Sequence, residues 1–267
     1  MEIEFLVSTM NRTDLEFLRV MFRNLSLATL NITVINQCTE ISPPEFIPTQ
    51  SSTIKVVSVQ ERGLSRSRNC ALAEARSDIC MIADDDCIYT ADCIEKIRAA
   101  YEELPYADLI VFRAYSRSTG KPLKNRDPVI RRRRRFLITN ISSFEISFLR
   151  KKVQKAEVEF DERFGLGSEY PVGEENIFLV DCISSGLSVY SYPSFVLTTD
   201  ENSTGYRIIN NPVLRGKVFA RMYGEGLIFM MSIACSSIRK YDVYKKEYGL
   251  MEYMKRMWQG AKELKRK

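Results

Sequence analysis

The sequence contains no histidine among its 267 residues. This absence excludes histidine triads, histidine metal ligands and a histidine general base. The seven cysteines are an odd number and form no C-x-x-C pair, which argues against a disulfide framework and a structural zinc site. We therefore expect a reduced, cytoplasmic protein whose acid–base chemistry depends on carboxylates.

Long apolar runs are also missing. The longest run, 226–238, is shorter than the roughly 20 residues that cross a bilayer. The acidic Glu2 and Glu4 directly after Met1 do not fit a signal peptide. With 45% apolar and 27% charged residues, the composition is that of a globular protein, and we expect it to be soluble or peripheral.

The net charge of +5 is unevenly distributed along the chain. Residues 207–267 contain 14 basic and 5 acidic residues, so the remainder is mildly acidic. We therefore expect a main domain over 1–206 and a basic helical C-terminal region over 207–267. Such asymmetry suggests a polyanionic partner or an anionic membrane surface.

Strands and helices alternate over the first 113 residues. Apolar runs predict strands at 2–9, 32–35, 54–59, 79–83 and 109–113. Helical patterns separate them at 14–27, 65–75 and 91–104, and short strands at 144–149 and 188–191 follow. Alternation is typical of a mostly parallel sheet with helices on both faces, so we predict an α/β fold.

Polar residues follow several of the predicted strands. They are Thr9, Asn11 and Arg12 after the first strand, Asn36 and Gln37 after the second, and Asp84, Asp85 and Asp86 after the fourth. Ligands of doubly wound sheets bind beyond the carboxyl ends of the strands, which predicts a site here.

The triple aspartate is the sharpest local feature. Three adjacent carboxylates repel one another unless a cation neutralises them, and hard oxygen ligands suit Mg²⁺ or Mn²⁺. We interpret Asp84, Asp85 and Asp86 as a metal and phosphate site. A solvated acidic turn is the alternative.

A glycine precedes each of two predicted helices. Gly63 opens a turn before a helix with Ser65 as a candidate N-cap, and Arg68 in its first turns favours anions. An ordinary capped helix is the alternative there. Glu174 and Glu175 open the second helix, where acids also complement the helix dipole. In a chain without histidine, a glutamate is suited to act as general base for a sugar hydroxyl.

The order of these motifs resembles a known enzyme family. Ser-Thr-x-Asn-Arg ends the first strand, Gly-Leu-Ser-x-x-Arg-Asn opens a helix, Asp-Asp-Asp ends a strand, and Gly-Glu-Glu-x-x-Phe opens a later helix. Over roughly residues 3–205 this order is similar to family 2 glycosyltransferases of the GT-A fold. The closer likeness is to bacterial enzymes that build O-antigen or capsular polysaccharide.

The resemblance implies an inverting sugar transfer from a nucleotide-diphospho-sugar, usually a UDP-sugar. The donor would bind the half of the domain at 1–113, and the acceptor the half at 114–206. The acceptor would be a saccharide linked to polyprenyl diphosphate. We accordingly expect a protein peripheral on the inner face of the plasma membrane.

The resemblance also implies roles for individual residues. Glu175 would be the catalytic base, with Glu174 on the acceptor side. Asp84 and Asp86 would bind Mn²⁺ or Mg²⁺, and Asp200 would replace a histidine that relatives carry before a Ser-Thr-Gly element, here 203–205. The donor-binding set would be Thr9, Arg12, Asn36, Arg68, Asn69, Asp84 and Asp85. Asn36 and Gln37 depart from an aspartate that relatives often carry in this region.

Two basic segments remain open to two interpretations each. Leu250, Met254, Met257, Ala261 and Leu264 form a helical stripe among lysines and arginines, which fits either a membrane interface or packing on the catalytic domain. The run 131–135 contains five arginines and fits either a nucleic-acid patch or a site near the acceptor diphosphate or the membrane.

Two other functions share part of the pattern. A sugar nucleotidyltransferase would have the sheet and the aspartates, but also a glycine-rich loop after the first strand, and 8–12 contains no glycine. A non-enzymatic nucleic-acid-binding protein would not need polar residues at strand ends. We expect no nucleic acid as a partner.

Overall fold

The computed structural model describes residues 1–39, 53–126, 128–135, 138, 140–200, 210–224 and 226–265. Within this part of the chain, nine strands form a single sheet. They are β1 (Ile3–Met10), β2 (Asn31–Gln37), β3 (Ile54–Val59), β4 (Ile79–Asp84), β5 (Ile88–Tyr89), β6 (Leu109–Ser116), β7 (Arg131–Arg132), β8 (Ile146–Leu149) and β9 (Val189–Thr199).

The α-helices of the described residues fall into two groups. Five belong to the α/β part: α1 (Glu16–Met21), α2 (Leu64–Glu74), α3 (Cys93–Glu103), α4 (Arg150–Lys155) and α5 (Glu174–Ser184). Four follow the last strand: α6 (Pro212–Tyr223), α7 (Leu227–Arg239), α8 (Tyr241–Tyr244) and α9 (Leu250–Lys265).

The strand order is β3-β2-β1-β4-β8-β6-β9-β5, with β7 paired to β9. Strands β1 to β4 are parallel to their neighbours in this group, β6 is parallel to β9, and β8 lies antiparallel between β4 and β6. The predicted α/β fold with a mostly parallel sheet is confirmed.

Helices cover both faces of the sheet because its strands are apolar on both sides. In β1, Phe5 and Val7 face a cluster that contains residues of α1 and α3. Leu6, between them, faces the opposite cluster with residues of α2 and α5. This alternation follows from the two-residue period of a strand.

Three local predictions need correction. The first helix ends at Met21 rather than near 27, and Asn24 beyond it donates from Nδ2 to the carbonyl oxygen of Tyr89 at 2.8 Å. Ser65 does not cap α2: the N-cap is Gly63, and the Ser65 hydroxyl donates to the carbonyl oxygen of Phe164 at 2.5 Å. The last strand is longer than 188–191 and extends to Thr199.

The C-terminal helices pack onto the α/β part rather than beside it. Residues of α6, α7 and α9 share one apolar cluster with α2 and α5. Helices α6 and α9 approach so closely that a Cβ at Gly216 would lie 1.9 Å from the carbonyl oxygen of Met257. Gly260 meets Val213 across the same crossing at the same distance, so both positions require glycine.

The apolar stripe of α9 lies inside this cluster. Met257 and Ala261 are buried, and Leu250, Met254 and Leu264 pack against the core. Of the two interpretations of this stripe, packing on the catalytic domain is therefore the one that the structure supports. No helix within the described residues has the length and apolar character needed to cross a membrane.

Candidate active site

The strand register brings the polar strand ends to one edge of the sheet. Thr9 of β1 lies opposite Asn36 of β2, and Ser8 lies opposite Asp84 of β4. Because β1, β2 and β4 are parallel, this edge is the carboxyl end of all three strands. Thr9, Asn36 and Asp84 therefore gather where the sequence predicts.

Arg68 is buried at the centre of this edge, with a side chain only 3% exposed. Its Nη1 donates to Glu174 Oε1 at 2.8 Å, and its Nη2 donates to Asp84 Oδ1 at 2.9 Å and to Ser143 Oγ at 2.7 Å. Burial alone would lower the pKa of Arg68, but the charges of Asp84 and Glu174 outweigh it and raise that pKa above its ordinary value. Arg68 thus joins β4 to the start of α5 as a fixed cation.

A second arginine holds the middle aspartate. Arg12 Nη2 donates to Asp85 Oδ2 at 2.8 Å, and its Nε donates to Thr9 Oγ1 at 3.2 Å. The Thr9 hydroxyl donates to the same Asp85 oxygen at 2.5 Å. These three predicted donor-site residues form one partly exposed cluster, so their relative positions are fixed before any ligand binds.

The amide side chains at the predicted donor site form hydrogen bonds with main-chain groups. Asn36 is fully buried and exchanges two hydrogen bonds with the backbone of Arg12, at 3.0 and 2.9 Å. Gln37 donates to the carbonyl oxygen of Gly63 at 2.9 Å. Asn69 accepts from the Phe160 amide at 2.8 Å and donates to its carbonyl oxygen at 3.0 Å. In this state Asn36 and Asn69 shape loops of the site, and direct donor binding by them stays a prediction.

Asp86 is the outer member of the triple aspartate. Partial burial and the charges of Asp84 and Asp85 raise the pKa of its carboxyl group. Its backbone carbonyl oxygen accepts a hydrogen bond from Arg117 Nη2. Arg117 Nη1 in turn lies 3.2 Å from Asp200 Oδ2. A basic side chain therefore connects Asp86 with the position that the sequence suggested as a replacement for histidine.

The predicted metal ligands do not form a three-carboxylate cage. Among the residues that the structure describes, no three Asp, Glu, Cys or His side chains gather into a metal site. Asp84 pairs with Arg68, and Asp200 pairs with Arg117. The charges of Asp84 and Asp85, which help to raise the pKa of Asp86, would also favour a cation beside it. Its oxygens fit the type of Mg²⁺ site that one or two carboxylates form together with substrate phosphates. The Ser-Thr-Gly element at 203–205 lies outside the described residues.

Gly173 sets the direction of the two glutamates that open α5. Its φ of +89° is left-handed, and an added Cβ would lie 2.8 Å from the side chain of Val218, so this turn requires glycine. Glu174 then points to Arg68, while Glu175 accepts a hydrogen bond from Asn176 Nδ2 at 2.7 Å. Burial and the adjacent Glu174 raise the pKa of Glu175 to about 8.

A cavity of about 1010 Å³ adjoins both glutamates. Arg68 and Asp84 line it, and so do residues of α6 and α7. Within the run 131–135, Arg131 and Arg133 line this cavity, while Arg135 Nη2 donates to the carbonyl oxygen of Met222 at 2.7 Å. The run therefore has a structural part and a part that faces the cavity.

Three residues of the site were not found from the sequence. Ser143 lies within a capping box formed by Ser142 and Glu145. The Ser-x-x-Glu pattern of this box is readable in the sequence and could have located the turn. Lys124 lines the cavity, and Arg117 contacts Asp86. Both lie in the polar stretch 116–135, where no periodic pattern indicates which basic side chain faces the site.

Comparison with known proteins identifies the class of this fold and then the family. The sheet, with its acidic carboxyl edge and covering helices, is a GT-A fold. The model of glycosyl transferase family 2 matches residues 6–155, which is more than half of the chain. The chain belongs to this family and is a glycosyltransferase. This assignment supports neither the nucleotidyltransferase nor the nucleic-acid-binding alternative.

Solved structures of TarS from S. aureus resemble the chain in fold. A fragment, TarS 1-349, is 11% identical with a TM-score of 0.55, and the match covers 100% of this chain and 92% of the fragment. TarS 1-349 in complex with UDP-GlcNAc has a TM-score of 0.56 at 11% identity, with 92% and 74% coverage. The match covers 55% of the longer TarS structure at 10% identity. No curated protein matches the sequence.

Proposed function

We propose that the protein transfers a sugar from a nucleotide-diphospho-sugar, most simply a UDP-sugar, to a saccharide acceptor, with inversion at the anomeric carbon. The observation that carries this proposal is Glu175, a carboxylate with a pKa of about 8 in the same cavity as Arg68 and Asp84. A general base works best when its pKa lies near the operating pH. The UDP-GlcNAc complex of TarS supports a UDP-sugar as the donor.

The donor would occupy the carboxyl edge of the sheet. Thr9, Arg12 and Asp85 form the preset cluster that we assign to the nucleotide. Asp84, held by Arg68, is assigned to the ribose or the sugar. The Arg68 guanidinium is already committed to two carboxylates, so its role is to fix Asp84 and Glu174 and to add positive charge near the diphosphate.

A divalent cation would bind at Asp86 together with the donor diphosphate. Asp84 is the second candidate ligand, and Asp200 would have to leave Arg117 to contribute. Bound Mn²⁺ or Mg²⁺ would supply positive charge that offsets the charge of the leaving diphosphate.

The reaction that we propose is a single displacement. Glu175 accepts the proton of the acceptor hydroxyl as that oxygen forms a bond to the anomeric carbon. The bond from this carbon to the diphosphate oxygen breaks on the opposite side, and the nucleoside diphosphate leaves with the bonding electrons. Nearby positive charge from Arg68 stabilises the leaving group.

Thermal-shift binding with UDP, GDP and CDP, each with and without Mn²⁺, tests the donor proposal. A ligand that binds only the folded state raises its stability by RT ln(1 + [L]/Kd). We expect a rise in Tm with UDP that Mn²⁺ enlarges, and a smaller rise with GDP or CDP. No shift with any nucleotide would contradict the proposal.

We further propose that the acceptor is linked to polyprenyl diphosphate and that the protein contacts an anionic membrane. The surface that favours this contact is the outer face of α7, where Leu227, Met231 and Ile238 are 75%, 59% and 66% exposed. An exposed apolar patch of this kind marks an interaction site. The region 207–267, with 14 basic and 5 acidic residues, would add attraction to anionic headgroups.

Vesicle flotation tests the membrane contact. Replacing Leu227, Met231 and Ile238 by serine should reduce the fraction bound to phosphatidylglycerol–phosphatidylcholine vesicles. The control is Met251→Ser, because Met251 is 76% exposed but lies on α9. Equal flotation of both variants and the wild type would contradict the contact. A dimer found by light scattering without vesicles, and lost in the triple variant, would instead assign the face to a second copy of the chain.

A further inference from the structure

Three basic side chains from the C-terminal region line the same cavity as Glu174 and Glu175. They are Arg215 of α6, Arg239 of α7 and Lys240, which follows α7. No sequence motif pointed to them, and the donor site does not use them. They come from the region 207–267, so the catalytic cavity is completed by helices outside the family match at 6–155.

The charge of Arg215 is buried without an acidic partner. Its side chain is hydrogen-bonded to neutral oxygens: Nη1 donates to Tyr253 Oη at 2.8 Å, and Nη2 donates to Ser236 Oγ. The residue is only 5% exposed. Among the described residues, no carboxylate lies within ion-pair distance of Arg215, Arg239 or Lys240. A buried cation is costly unless an anion pairs with it.

The three cations also act on one another. Burial and the charges of Arg215 and Arg239 lower the pKa of Lys240. Lys240 in turn acts on Lys124, which also feels the charge of Glu175. The basic group is therefore continuous, through Lys124, with the proposed catalytic base. A set of like charges that converge on a cavity is stabilised when an anion enters it.

We infer that Arg215, Arg239 and Lys240 form a binding subsite for a phosphate or diphosphate group of the acceptor. The cavity of about 1010 Å³ is large enough to hold a sugar between this group and the donor. The assignment of the bound anion to the acceptor rests on the proposed function. The presence of an anion-binding subsite does not depend on that function. The two sources of such a group are a lipid-linked diphosphate and a phosphorylated saccharide without lipid.

Calorimetric titration with inorganic pyrophosphate tests the subsite, at constant ionic strength, with saturating UDP and without divalent ions. The variant is Arg239→Gln/Lys240→Gln. The matched control is Lys245→Gln/Lys246→Gln, since these two exposed lysines follow closely in the chain but do not line the cavity. We expect at least a tenfold higher Kd in the variant and less than a twofold change in the control. Arg239 is exposed, so the single variant Arg239→Gln gives the same comparison if the double variant does not fold.

Geranylgeranyl diphosphate is titrated in parallel to identify the source of the anion. Tighter binding than pyrophosphate, with the same loss in the variant, supports the subsite and assigns it to a lipid-linked diphosphate. Equal binding of both probes, again lost in the variant, supports it and assigns it to a phosphate without lipid. No pyrophosphate binding by the wild type, or equal Kd values for variant and control, overturns the inference. Failure of UDP to shift Tm in all three proteins contradicts the proposed function instead. The variant and the control are then compared by titration with pyrophosphate alone, which still tests the subsite.

Discussion

Replacing Glu175 by glutamine removes the proposed base and, with it, one buried titratable group. Glutamine keeps the size of the side chain and its acceptor oxygen toward Asn176. Turnover should fall by about 10²–10⁴-fold, while UDP binding should be unchanged. In the wild type, kcat/KM should rise with pH and level off above about pH 8, because the carboxyl group must lose its proton to act as a base.

The same substitution should stabilise the protein at neutral pH. The pKa of Glu175 is raised in the folded state from 4.5 to about 8 by burial and by Glu174. Because the folded state holds this proton more tightly than the unfolded state, the protonated carboxyl group contributes fully to the free energy of unfolding below about pH 4.5. This contribution is lost as the pH rises through 8. The wild type therefore loses about 2–3 kcal/mol relative to Glu175→Gln between pH 5 and pH 7, a relative change in Tm of roughly 5 °C.

Thermal unfolding at pH 5 and pH 7 measures this difference, and a donor-to-acceptor transfer assay measures turnover. Glu247→Gln is the control, since Glu247 is exposed and does not line the cavity; it should change neither turnover nor the dependence of stability on pH. Near-normal turnover of Glu175→Gln would refute the role as base. A stability difference that does not grow between pH 5 and pH 7 would refute the argument from burial.

Three further predictions concern the site and the helix crossing. Arg68→Met should cost about 3–5 kcal/mol in urea unfolding, because Glu174 is then buried without its cation. Asp86→Asn should abolish the additional Tm shift that Mn²⁺ gives with UDP and leave the shift with UDP alone unchanged; an unaltered Mn²⁺ response would exclude Asp86 as a ligand. Gly260→Ala should destabilise the protein by about 3 kcal/mol, because its Cβ would meet a backbone oxygen at 1.9 Å, whereas Gly249→Ala, in open space, should change urea stability by less than about 0.5 kcal/mol.

The positions of β1 to β4 and β6 were predictable because each of these strands contains an apolar run. The two-residue strands β5 and β7 were not predicted. The predicted strand 54–59 is identical to β3, and β4 extends the predicted 79–83 by one residue. Ser65 shows why helix caps were harder to predict than strands. Serine is a common N-cap, but here its hydroxyl serves a carbonyl group 99 residues away, and no local pattern encodes that contact.

The acidic motifs located the site, but their partners came from distant segments of the chain. Arg68 and Asp84 lie close in sequence, yet Ser143 and Glu174 complete their network from far along it. Sequence reasoning also could not separate the two faces of 226–238. Phe229 and Ile233 are buried, whereas Leu227 and Met231 are exposed, and all four are equally apolar. Which face is covered depends on where α6 and α9 pack, and therefore on the close crossing of those helices.

That crossing connects the fold to the acceptor chemistry. Gly216 lies next to Arg215 in α6, and the approach of α9 that this glycine permits places Tyr253 against the Arg215 guanidinium. Arg215 in turn lines the cavity together with Glu175. Gly216, which has no side chain, thus determines where the buried Arg215 guanidinium lies relative to Glu175. On this argument the C-terminal helices belong to the catalytic unit, and their loss should abolish acceptor use even where the donor edge at β1 and β4 stays intact.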